Sequence, residues 1–118
     1  MEEKFKRWFV DDKDLEGLDS YKARDIIVKC FFEAQKETFS RSRQTLGLEV
    51  DEKKILSNIV AAIRLAFKEV GEDFDKPTRE SLLKVVDVLA RKAASWGTPK
   101  DIIDHHKEQI QMVLRVLR

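Results

Sequence analysis

The run SYKARDIIVKCFFEAQKETFSRSRQTLG, residues 20–47, decides the fold. Its polar residues Lys22, Asp25, Lys29, Glu33, Lys36, Ser40 and Arg43 step by three or four, as one face of an α-helix does. Opposite stand Ala23, Ile27, Cys30, Phe31 and Ala34, and Ile26, Val28 and Phe32 widen this apolar side beyond a single seam. With Ser20 or Asp19 as N-cap and Gly47 as stop, the spacing predicts a helix over 20–46. At about 1.5 Å per residue it would be roughly 40 Å long. Such a helix either breaks near residues 39–43 or overhangs its neighbours.

Three further helices follow by the same reading. Asp51 caps a helix over 51–70, with Ile55, Leu56, Ile59, Val60, Ile63, Ala66, Phe67 and Val70 apolar and Gly71 as stop. Phe74, in the acidic linker 72–75, is expected to fold back on the core. A helix over 78–96 follows Pro77 and ends at Gly97. The last, over 98–118, takes Thr98 as cap, Pro99 as first residue and Asp101 three residues after the cap. Its core stripe is Ile103, His106, Ile110, Val113, Leu114 and Leu117. Short connections make these neighbours antiparallel. The expected fold is all-α, a single domain over 1–118. It is a four-helix up-down bundle with a short N-terminal helical arm, 1–19, whose Phe5, Trp8 and Phe9 suit a turn or two of helix.

Bulk composition agrees. A chain of 118 residues with 42% hydrophobic content can bury one core. Four Gly and two Pro leave too little punctuation for a sandwich of short strands. The 38% of charged residues nearly cancel, to a net +1, so no overall electrostatic grip on nucleic acid is implied. This balance resembles a thermophile's ion-pair-laced surface. The lone Cys30 excludes an internal disulfide and is expected to be a buried structural thiol. The longest apolar run, residues 59–63, is far short of a membrane span, and the N-terminus has no signal-peptide core, so a cytoplasmic location is expected.

Chemistry-bearing constellations are few. From Asp12 the chain places Asp12, Asp14, Glu16 and Gly17 as in a calcium-binding EF-hand loop, since a hard cation needs several oxygens and a sharp turn. The closing bidentate Glu is missing, for that position is Ala23. The segment is therefore read as an acidic turn, with Asp12, Asp14 and Glu16 the ligands of any cation there. In an up-down bundle, residues 11–19 and 69–75 would form an acidic pole, countered by Lys76, Arg79, Arg115 and Arg118. Arg41, Arg43, Arg91 and Lys92 would gather at the opposite end, near Lys100, as candidates for anion or nucleic-acid backbone. Acidic neighbours there, and the preference for cations in last helical turns, make nucleic acid an unlikely partner. Adjacent His105 and His106 diverge by about 100° and cannot chelate one ion. No cofactor is expected, because no phosphate loop, nucleophile elbow or zinc-binding His pair is present.

The expected function is therefore a non-catalytic helical interaction module or small subunit. The excess apolar breadth of 20–46 points to a homodimer on the first and last helices. Val28 and Phe32 on one, with Ile102, Met112 and Val116 on the other, form the expected interface, unless the N-terminal arm covers that surface. A nucleic-acid-associated protein using the basic end, and a divalent-cation enzyme or sensor at the acidic pole, are the alternatives.

Overall fold

The computed structural model describes residues 8–46 and 51–117, and side chains within 8–40 and 51–117. The predicted stop at Gly47, the first seven arm residues and Arg118 lie outside the described residues. Five helices follow in order: α1 Asp12–Leu15, α2 Ser20–Leu46, α3 Glu52–Glu69, α4 Arg79–Ser95 and α5 Lys100–Val116. No strand occurs among the described residues. The helical turn of the arm sits at α1, inside the acidic segment, while residues 8–10 are non-helical.

Local chemistry sets most boundaries. Asp19 caps α2 by accepting the Lys22 N–H at 2.8 Å, and no Gly or Pro interrupts the 27 residues that follow. Asp51 accepts the Lys54 N–H at the start of α3. Thr78 and Ser81 form a reciprocal capping box at the start of α4. At the end of α4 the Thr98 N–H reaches the Ala93 carbonyl at 3.0 Å and the Gly97 N–H reaches Ala94 at 3.1 Å. This paired closure needs a left-handed residue, and Gly97 has φ +87°.

The start of α5 differs from expectation. Thr98 does not cap it: the helix begins at Lys100 with Pro99 in the cap position and no side-chain cap bond. The Thr98 hydroxyl is buried and accepts from Gln35 Nε2 of α2 at 2.9 Å. A tertiary partner has taken the group that a local cap would have used.

The four long helices pack in a ring, α2 on α3, α3 on α4, α4 on α5 and α5 on α2. Ion pairs and hydrogen bonds give their relative heights. Lys36 of α2 meets Glu52 of α3 at 3.5 Å. Arg79 Nε donates to the Leu114 carbonyl at 3.0 Å, and Lys107 meets Asp87 at 3.8 Å, so α4 and α5 run antiparallel. The Gln35–Thr98 bond sets the α4–α5 turn level with the middle of α2. Beyond it α2 runs unbroken for eleven residues, about 16 Å, so α2 overhangs and does not break.

One apolar cluster fills the ring. It includes Ile27 and Phe31 of α2, Ile63 and Phe67 of α3, Leu82 and Leu89 of α4, and Ile110 and Leu114 of α5. His106 lies on the core stripe, as expected, and is 1% exposed. Phe74 folds back edge-to-face on Phe67, with ring centroids 5.6 Å apart. The Arg24 and Arg64 guanidiniums lie 4.6 and 4.3 Å from the same ring, and Arg24 also donates to the Phe74 carbonyl at 3.0 Å. The connection 70–78 is thus fastened as a strap. No described helix is long and apolar enough to cross a membrane.

Two substitutions test this reading. Thr98→Val keeps the shape but strands the buried Gln35 amide, so urea unfolding should show a loss of about 1–3 kcal/mol. Gly97→Ala meets no atom within 4 Å and carries only the backbone strain, about 1 kcal/mol in the same assay.

Candidate interaction surface

The acidic segment spends carboxylates on local capping. Asp11 accepts the Asp14 N–H at 3.1 Å and Asp14 accepts the Asp11 N–H at 3.0 Å, closing a capping box on α1. The bond from the Asp14 amide holds the Asp11 carboxyl below the usual carboxylate range. Asp12 and Asp14 stand on a helical turn, which fans carboxylates outward where an EF-hand loop would converge them. Glu16 is the exposed C-cap of that turn. Among the described residues no three His, Cys, Asp or Glu side chains come together as a metal site.

The expected basic end does not assemble either. Lys92 bonds Glu69 at 2.9 Å, a residue assigned to the opposite, acidic pole. The last turn of α3 is therefore level with the second half of α4, and the 70–78 strap runs back beside α4 to reach Thr78. Counting from the Gln35–Thr98 bond, Arg91 and Lys92 lie below it and residues 41–43 above it, roughly 20 Å apart along the axis. The side chains of Arg41 and Arg43 lie outside the described residues.

The expected dimer face is also divided. Ile102 is 0% exposed and belongs to the interior, because α5 turns it inward beside His106 and Ile110. Val28, Phe32 and Met112 are half-buried against the chain's own core; Val116 is exposed. Lys36, which pairs with α3, also lies 5.1 Å over the Phe32 ring, so Phe32 stands on the α3 flank of α2, away from α5. On the other flank the N-terminal arm covers the α2–α5 seam. Lys29 lies 4.7 Å over Trp8, His105 Nε2 bonds the Trp8 carbonyl at 2.9 Å, and the Val10 N–H donates to Gln109 Oε1 at 2.7 Å.

Described residues form two concave surfaces of note. A cleft of about 340 Å³ between Phe39, Ile55, Ile59, Ala62 and Trp96 has Gln35 in its lining; it lies where α4 stops and α2 and α3 run on. A broader trough of about 820 Å³ follows the outer face of α4. Asp87, Ala90, Arg91 and Ala94 form its floor, with Val70 on one side and Ile103 and Lys107 of α5 on the other. The trough exists because Ala90 and Ala94 are short and because α3 ends at this height. Leu83, 41% exposed, stands one turn before Asp87 on the same stripe. The surrounding charges are largely matched: Lys84 bonds Glu72 at 2.8 Å and Lys100 bonds Asp104 at 2.7 Å. The bond to Asp104 holds the Lys100 ammonium above its ordinary range.

By sequence Leu83 and Ala90 belong to the apolar, core-facing side of this helix; instead Leu83 is exposed beside the trough, and Ala90 and Ala94 line it. The available signal was their spacing with Asp87, four-three-four, which repeats as a helix–helix seam does. Compared with known proteins, the chain matches no family model, no curated protein and no solved structure.

Cys30 is fully buried in the core, as expected. Burial, with the nearby Asp14 charge second, pushes its thiol far above the ordinary range. Alkylation by iodoacetamide at pH 8 should therefore be slow in the native protein and rise with urea in step with global unfolding. Rapid labelling of the native protein would show the core to be open.

Proposed function

We propose that this chain is a non-catalytic helical interaction module that self-associates, acting as a homodimeric small subunit. The observation that carries this reading is the trough on α4. Its exposed stripe of one large and two small apolar side chains is covered by no described element, and a flanking element is what such a helix face ordinarily receives. Lys84 and Lys100 beside it are matched within the chain by Glu72 and Asp104, which suits a protein surface better than a polyanion. A buried, protonated thiol fits a reducing, cytoplasmic setting. The dispersal of Arg91 and Lys92 from residues 41–43, and the use of Asp11 and Asp14 in capping, remove the geometric support that nucleic-acid or cation readings would need.

Sedimentation equilibrium or light scattering at micromolar concentrations should give a mass near twice the 13.8 kDa of one chain. A single-chain mass at every concentration would reject self-association.

A further inference from the structure

We infer that the second copy docks on the outer face of α4, pairing α4 antiparallel with its own symmetry mate. This inference rests on the self-association proposed above and names its surface and register. Leu83, Asp87, Ala90 and Ala94 follow one another at intervals of four, three and four, the seam spacing of two packed helices. Three of the four are exposed and Ala90 is half-buried, so the seam is available without unfolding any part of the bundle.

The stripe is complementary to itself only when reversed. A two-fold axis between Asp87 and Ala90 sets Leu83 of each copy over Ala94 of the other, a large side chain on a small one. It also sets Asp87 of each copy over Ala90 of the other, within one helical position of the other copy's Arg91. Arg91 has no ion-pair partner among the described residues, while Asp87 holds only a long contact to Lys107 at 3.8 Å. The two unmatched demands are met twice, symmetrically, as an isologous interface requires. A parallel pairing would put Asp87 against Asp87 and Arg91 against Arg91.

Charge reversal tests this arrangement. The wild-type chain should sediment as a dimer. Asp87→Arg and Arg91→Asp should each raise the dimer dissociation constant by at least about tenfold, with unchanged helical circular dichroism and melting. Mixing these two variants in equal amounts should restore a dimer, since Arg at 87 then meets Asp at 91 and Arg91 meets Asp87. Dimers undisturbed by either reversal would overturn this face while leaving self-association intact. Two weakened variants that fail to pair when mixed would overturn the antiparallel register. A wild-type monomer would overturn the parent proposal itself.

Discussion

The hydrogen bond from Gln35 to Thr98 decides how high each half of the bundle stands against the other. Both groups are buried, and a buried amide or hydroxyl without a partner costs far more than the bond returns when made. The α4–α5 turn is therefore held at the middle of α2 and nowhere else. From that height the rest follows. Past that height α2 meets the first turns of α3 and no described part of α4, and the first half of α4 extends past the end of α3. The 70–78 connection must then travel back along α4, where the Phe74 ring is held between Arg24 and Arg64. The trough on α4 lies where these displacements leave that helix uncovered.

Periodicity in the sequence reports the angle of a residue around its helix, and angle was read well. The cap at Asp51, the stops at Gly71 and Gly97, and most of the α5 core stripe depend on neighbours within a few residues; Ile102, buried where an outer edge was expected, is the exception. Height along the bundle axis has no such local signal. Only a linker that joins helices end to end would set Arg91 and Lys92 beside residues 41–43. Nine residues can span the roughly 20 Å from the height of Lys92 to Thr78, and Lys92 meets Glu69 in consequence. Thr98 misled for a related reason, since its sequence context is that of a cap but its hydroxyl is spent on a partner 63 residues away.

The breadth of the apolar side of α2 suggested a missing subunit, yet much of it is covered from within. Trp8 and Val10 of the arm lie over one flank, and Phe32 packs on the other beneath Lys36. Cation–π contacts make this economical: Lys29, Lys36, Arg24 and Arg64 keep their charged ends at the surface while their stems lie along aromatic rings. The α4 stripe is hidden in the sequence for another reason. Leu83 and Ala90 read as part of the apolar side with Leu82 and Leu89, and Asp87 and Arg91 as part of the polar face, so the stripe crosses both. A depression made by two short side chains becomes visible only when the walls beside it are in place.

In the α4 pairing the charges and the apolar contacts do different work. Exposed ion pairs contribute roughly 0–1 kcal/mol each, too little to hold two copies together. Burying the exposed 41% of each Leu83 can supply roughly 1 kcal/mol apiece, with short alanines letting the helix backbones approach and add further apolar contact. Leu83 over Ala94 would tolerate several alignments, because dispersion is indifferent to direction. Asp87 and Arg91 are not indifferent. Like charges opposed in the parallel arrangement repel, and a shifted antiparallel one leaves Asp87 partly desolvated with only its long contact to Lys107. The apolar pair thus supplies attraction and the charged pair selects among its possible geometries.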